Sequence, residues 1–227
     1  MIGIIGAMAL EIEKLKEKLT NAQEEVISGV RFTRGTLFGR EVVLAVCGMG
    51  KCFAAMGTEA MILRYQPEAV INVGVAGTLT EKLGIGDVAI GTSAVCHDLD
   101  TSPLGDPVGM VSGINVVYFQ LETALYRRFE AICRAQGIGC RLGTIASGDQ
   151  FVVDPARKKW IAETFGALAC EMEGQPIAQV CYVNRTPCAI LRSISDSIDG
   201  GAADYEIFKY KAAEVTNKII EEYLKNA

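Results

Sequence analysis

Apolar residues recur along this chain in two alternating rhythms. Short continuous runs read as buried strands, and stripes spaced three or four apart read as helices packed on them. Residues 2–7 form the first such run, and 9–19 place Ile12, Leu15 and Leu19 on one helical face. Two β runs, 26–37 and 41–47, follow with no helix between them and meet near Phe38-Gly39-Arg40. That predicts a hairpin, and hence a mixed sheet. Gly48-Met49-Gly50-Lys51 turns into a helix ending near Leu63, and Pro67 separates it from a strand at 69–73. A longer strand opens at Gly86-Asp87 and runs through Val95. A helix over 119–136 then leads to a strand at 141–147 and a turn at 147–151. Pro155 suits the first turn of a helix over 155–164. A further helix starts at 174–176 and reaches Val183, and the last, from Asp204, carries Phe208, Ala212, Val215 and Ile219 on one stripe. Strands alternating with helices, with no linker, repeat or low-complexity stretch, predict a single α/β domain over 1–227.

Residues 100–116, with two prolines and three glycines, stand apart as a long loop. Segments of that length inside a compact domain are usually lids or binding elements. Half of the residues are hydrophobic, yet no apolar run has the length to span a bilayer. The first residues read as a strand, without a basic leader or cleavage site. A formal charge of -5 without a basic cluster speaks against nucleic acid or an anionic membrane as partner. A small molecule is the expected ligand. The eight cysteines form no C-x-x-C pair and most sit within apolar runs, which predicts free thiols in a reducing, cytoplasmic setting. His97 is the single histidine, so neither a His-rich zinc site nor an ordinary Ser-His-Asp triad is available; no metal or cofactor is expected. His97 itself reads as a structural hydrogen-bond partner of Asp98.

Carboxylates supply the candidate chemistry. Ala169-Cys170-Glu171-Met172-Glu173-Gly174 closes one apolar run, Pro187 to Asp196 closes another, and the first run leads to Glu11. Each acid alone fits the exposed start of the next helix, where the dipole favours negative charge. Three acidic strand ends together point to one site, because open α/β sheets form their ligand crevice there. The glycine turns are weaker signals. Gly3-Ile4-Ile5-Gly6 lacks the G-x-G-x-x-G spacing and no Walker motif occurs. Gly48-Met49-Gly50-Lys51 suits either an anion on a helix N-terminus or a plain tight turn, and Gly74-Val75-Ala76-Gly77 reads as a second small-residue turn after its strand.

With these residues in hand, the chain resembles the 5'-methylthioadenosine/S-adenosylhomocysteine nucleosidases of the purine nucleoside phosphorylase superfamily. The likeness rests on Gly3 to Met8 with Glu11, Gly48 to Lys51, Asn72 to Gly77, Ile85-Gly86-Asp87, His97-Asp98, Ser147 to Phe151, Glu171-Met172-Glu173 and Arg192 to Asp196. It implies a three-layer α/β/α fold around a central mixed sheet and a homodimer. It also implies that Asp196 protonates the leaving adenine with Ser195 beside it, and that Glu11 activates the attacking water. Phe151 would stack on the purine, the Val152 backbone would read its edge, and Glu173 would hold the ribose hydroxyls. Met172, Met8, Met49, Val75 and Glu171 would complete the walls, with Arg192 supporting Glu11 from behind. Two departures stand out. Val75 replaces a serine common in the family, and Gln175-Pro176 follows Glu173 where small helix formers are usual. The loop at 100–116 would cross the dimer interface toward the 5'-substituent, offering Leu104, Val108 and Met110.

Three other readings share these residues: a nucleoside phosphorylase, a nucleosidase acting on a futalosine-like compound, and a non-catalytic nucleoside-binding protein. A phosphorylase needs arginines at the glycine turns to neutralise phosphate, and Glu11 at the first turn repels it. Arg31, Arg34 and Arg40 read as surface residues of the hairpin. A mere binder has no use for an acid–base pair.

Overall fold

Every residue of the first strand, β1 (Ile2–Gly6), is buried, so its side chains must be apolar on both faces. They divide accordingly. Ile5 joins one core with Val43, Ala45 and Val70, while Ile2 and Ile4 join a second with Val42, Leu44 and Ile71. The computed structural model describes residues 1–226. After β1 the chain forms α1 (Ala9–Lys16) and then two hairpins, β2 (Thr20–Ile27), β3 (Val30–Leu37) and β4 (Arg40–Val46). Next come α2 (Lys51–Tyr65), β5 (Ala69–Thr78), β6 (Val88–Cys96), β7 (Phe119–Gln120) and α3 (Thr123–Ala135). The remainder is β8 (Cys140–Ser147), α4 (Pro155–Phe165), β9 (Ala167–Glu171), α5 (Gly174–Asn184), β10 (Cys188–Asp196) and α6 (Ala202–Asn226).

The strands form one mixed sheet in the order β10-β6-β8-β9-β5-β1-β4-β3-β2. Strand β10 also pairs in parallel with β5, so β5, β9, β8, β6 and β10 close on themselves as a barrel. Helices cover both sides. The face that holds Ile5 packs on Ala54 and Met61 of α2 and Ile177 and Ala178 of α5. The opposite face packs on Ile12 and Leu15 of α1, Phe129 and Cys133 of α3, and Ile219, Ile220 and Leu224 of α6. Among the described residues no helix is long and apolar enough to cross a membrane.

Several boundaries differ from the sequence expectation, each for a physical reason. The run at 26–37 is broken at Ser28 and Gly29, both with positive φ (51° and 79°). Phe38 and Gly39 repeat that conformation (52° and 81°), so both hairpins use the two-residue turn that matches strand twist. Strand β2 is an exposed, polar edge strand, whose charges discourage pairing with another chain. Helix α1 stops at Lys16 rather than 19, and Leu19 packs beside Gly35 of β3. Strand β5 runs on to Thr78, so Gly74 to Gly77 are strand positions and not a turn. The helix expected from 119 begins at Thr123, because Phe119 and Gln120 pair with β6. The loop at 100–116 contains a 3-10 turn at Ser102–Leu104 and an antiparallel bridge between Val111 and Val116.

Phe129 is fully buried and its ring lies 5.0 Å from that of Tyr223, joining α3 to α6. Phe129→Ala should therefore destabilise the fold by about 3–5 kcal/mol in equilibrium urea unfolding. A loss below about 1 kcal/mol would contradict this packing.

Candidate active site

The three acidic strand ends meet at one cavity of about 480 Å³, within the size range of small-molecule sites. Glu11, Glu171, Glu173 and Asp196 all line it, with Met8, Met49, Val75, Phe151, Val152, Met172 and Ser195. Arg192 does not line it; it lies behind the wall and is 1 % exposed.

Glu11 stands in the first turn of α1 and reaches back over its own helix start. Its Oε2 accepts the backbone N–H groups of Ala7 (2.7 Å) and Met8 (3.0 Å), and its Oε1 accepts that of Val75 (3.2 Å). A carboxylate at this position also satisfies amides that the helix leaves unpaired. Val75 thus holds Glu11 by its backbone, which the change from serine does not touch. Its side chain packs with Ala212, Ala213 and Tyr205.

Arg192 is the electrostatic hub. Its Nε donates to Glu171 Oε2 at 3.0 Å, its Nη2 donates to Glu171 Oε2 and, at 2.5 Å, to Asn72 Oδ1, and Glu173 Oε2 lies 3.8 Å away. Its direct ion pairs are with Glu171 and Glu173, and it supports Glu11, its expected partner, through its charge and without a direct ion pair. The reason is register: Arg192 sits opposite Gly74 in the β5–β10 pairing. A side chain at Gly74 would collide with both Arg192 and Glu11, so this position must be glycine. Glu171, expected as part of the cavity wall, does line the cavity. Its carboxylate is bonded to Arg192, the Ser147 hydroxyl and the N–H groups of Glu173 and Gly174. With the Ser147 hydroxyl accepting from the Gln175 N–H at 2.7 Å, Glu171 caps α5. Pro176, third in that helix, lies where no amide partner is required, so the helix begins at Gly174 as its sequence suggests.

Glu173 accepts the Gly50 N–H at 2.9 Å, and Asp149 accepts the Lys51 N–H at 2.8 Å. The N-terminus of α2 does bind anions, and they are the protein's own carboxylates. Asp196, at the end of β10, accepts from the Ser195 hydroxyl at 2.9 Å, and Lys158 Nζ lies 3.6 Å from its other oxygen. A Cβ at Gly77 would come within 2.5 Å of that oxygen, a second close approach along β5. Arg157 Nη2 donates to the His97 carbonyl (3.0 Å) and lies 3.3 Å from the His97 ring Nδ1. His97 thus pairs with Arg157 and not with Asp98, whose partners are Lys51, the Cys96 thiol and the Asp149 N–H.

Burial pushes the Glu11 carboxyl above the usual range, against the opposing pull of Arg192 and three backbone amides. Burial likewise raises Asp196, against the hydrogen bond from Ser195 and the charge of Lys158. Burial, reinforced by the neighbouring Glu171 charge, lifts Glu173 to about 7.

A family model described as the phosphorylase superfamily matches residues 1–225. The chain belongs to the phosphorylase superfamily. Within that superfamily it is 38 % identical over 228 residues to the 5'-methylthioadenosine/S-adenosylhomocysteine nucleosidase of Staphylococcus carnosus, covering all of both chains. The nucleosidase of Neisseria meningitidis, solved with methylthio-immucillin-A, superposes with a TM-score of 0.95 at 34 % identity, covering 100 % of this chain and 99 % of that one. A futalosine hydrolase of Helicobacter pylori also superposes with a TM-score of 0.95, at 32 % identity, covering 100 % of this chain and 97 % of that one.

Not every wall of this superfamily cavity was readable from sequence. Lys158, Tyr205, Glu206 and Lys209 line it as well. The Tyr205 ring stands edge-on to Phe151 at 5.3 Å, and its hydroxyl donates to Met8 Sδ at 3.3 Å. Tyr205 follows Asp204 near the start of α6, and a tyrosine there has no sequence mark that separates it from a surface residue.

The raised carboxyl of Glu173 has a consequence for stability. Between 4.5, its ordinary value, and about 7 the folded chain holds a proton that the unfolded chain has lost. Stability contributed by this group is therefore present at low pH and lost as pH rises through that window. Glu173→Gln removes the ionisation, so the variant should lose less stability than the parent between pH 4.5 and about 7 in urea titrations. Parallel slopes for the two proteins would contradict the assignment.

Proposed function

We propose that this protein hydrolyses the N-glycosidic bond of 5'-methylthioadenosine and S-adenosylhomocysteine, releasing adenine and the 5-thioribose product. The observation that carries this reading is the gathering of Glu11, Glu173 and Asp196 around one cavity, in a chain aligned end to end with nucleosidases. Water attacks the anomeric carbon as the carbon–nitrogen bond breaks and its electron pair moves onto the base. Asp196 gives its proton to the imidazole-ring nitrogen of adenine, with Ser195 beside it, and Glu11 takes a proton from the water. This division of labour is that of an inverting glycosidase. Glu173 holds the ribose hydroxyls, and above about pH 7, where its carboxyl ionises, it joins Glu11 in placing negative charge where the sugar becomes cationic. Phe151 stacks on the purine, the Val152 backbone reads its edge, and Met172, Met8 and Met49 pack on the nucleoside. Arg192 holds these groups from behind the wall, and Glu171 joins them at the cavity surface. The whole chain, 1–227, acts as one nucleoside-hydrolase domain.

Water rather than phosphate as nucleophile is supported by charge. The cations lining the cavity are Lys158 and Lys209, and each already faces a carboxylate, Asp196 and Glu206 respectively. Arg34 pairs with Glu41 on the exposed hairpin. The amides at the start of α2 are given to Glu173 and Asp149. A second reading, hydrolysis of a futalosine-like nucleoside, is favoured only by the equal superposition on futalosine hydrolase.

Adenine release from methylthioadenosine should proceed in phosphate-free buffer. Asp196→Asn and Glu11→Gln should each lower turnover by roughly a hundredfold or more, the scale of general acid–base catalysis. Near-normal turnover in either variant, a requirement for phosphate, or tight binding without cleavage would each overturn the reading. Faster cleavage of futalosine than of methylthioadenosine would transfer it to the second.

A homodimer accompanies this reading. Phe53, Met56 and Leu63 form an exposed apolar stripe at helical spacing along α2, and exposed Met49, just before that helix, also lines the cavity. Uncovered apolar stripes of this kind mark association surfaces. Eight free thiols fit a reducing cytoplasm. Sedimentation should give twice the chain mass, and Phe53→Glu should shift it toward the monomer. A monomeric parent protein would remove the proposal.

A further inference from the structure

Lys158 is a lysine where lysines are seldom found. It lies in α4, is 3 % exposed, and lysine is almost never fully buried unless paired. Its ammonium donates to the carbonyl oxygens of Ser197 (2.8 Å) and Ile198 (3.0 Å), and stands 3.6 Å from Asp196 Oδ2. Its hydrogen-bond acceptors are the two peptide groups that follow Asp196 in the chain. The same segment is held from the other side by α6, where Asp204 accepts from the Ser197 N–H (3.2 Å) and hydroxyl (2.7 Å). Helix α4 follows directly from Phe151 and Val152, so one side chain ties the wall assigned to the purine to the acid assigned to protonate it.

We propose that Lys158 is the positioning residue of Asp196: it fixes the carboxyl and stabilises the carboxylate left when the proton moves to the leaving base. The inference rests on the reading of Asp196 as general acid. A donor that must give up its proton in a buried site leaves an anion there, and a fixed cation 3.6 Å away favours that anion. The other groups facing Asp196 do not supply this charge. Ser195 on the same strand is a neutral hydrogen-bond donor. Asp204 on α6 is an acid that opposes ionisation of Asp196. Cys170 on β9 is a thiol held neutral by burial, and β5 presents only the backbone of Gly77. Lys158 is the one cation in this shell among the described residues.

Lys158→Met and Lys158→Arg separate charge from packing. In Lys158→Met, kcat for methylthioadenosine should fall roughly tenfold, less than the loss from removing the acid itself, with KM little changed. The alkaline limb of the kcat–pH profile, where the general acid must still hold its proton, should move up by about one pH unit, because an adjacent cation lowers a carboxyl by that order. Lys158→Arg should keep the parent limb and recover most of the rate. A methionine variant that melts like the parent but leaves both kcat and the limb in place would overturn the inference. So would a fall in kcat without movement of the limb, which is the mark of a packing role alone. Should Lys158→Met fail to fold, Lys158→Gln provides the same comparison, and its limb decides. Asp196→Asn distinguishes the two levels. If that variant stays active, the general-acid reading itself fails. If it is inactive while the Lys158 variants keep the parent limb, only the role of Lys158 falls.

Discussion

The buried pair of Arg192 and Glu171 is the interaction on which the site depends. Neither group reaches solvent appreciably, and removing both charges from water costs several kcal/mol per ion unless every remaining polar atom is satisfied. Here much of that compensation comes from Asn72, which accepts from Arg192, and from Ser147 and the first amides of α5, which donate to Glu171. Asn72 lies within β5, Ser147 at the end of β8 and the amides at the start of α5, so the pair fixes β5, β8, β10 and α5 relative to one another. Glu173 follows two residues after Glu171 and inherits its position from this clasp. The price of the arrangement is borne by β5, where Gly74 has to leave room for two charged side chains at once.

This explains why much of the site was legible in the sequence and some of it was not. Acids at strand ends are conspicuous because strands are apolar, and Glu11, Glu171, Glu173 and Asp196 were all visible for that reason. Their mutual roles were not visible. Arg192 lies on a strand whose neighbours only the fold selects, so its direct ion pair with Glu171, beside its longer reach to Glu11, is a fact of sheet register. Lys158 stands beside Lys159 in an ordinary helical pattern, which looks the same whether the chain turns it inward or outward. In the fold, the Ser28-Gly29 turn was a readable signal, whereas the polar strand before it carries no alternation to announce it. Gly74 and Gly77 resembled turn residues by composition. They are strand positions emptied of side chains so that Arg192, Glu11 and Asp196 can approach the backbone.

The same logic accounts for how two buried acids, both raised above their ordinary range, serve opposite purposes in the proposed reaction. Burial alone would make Glu11 and Asp196 alike. What separates them is the set of groups that lock each in place. Glu11 is surrounded by backbone amides, which are donors with no proton to exchange, so it can only accept a proton from the cavity side. Asp196 has one oxygen turned to a hydroxyl and the other toward a lysine, so its anion, once formed, is already solvated by the protein. An acid is useful in catalysis when its conjugate base is stabilised at the moment of transfer, and a base when its charged form is held ready before it. The two environments meet those conditions on different elements of the chain, and the β5–β10 pairing brings them to one cavity.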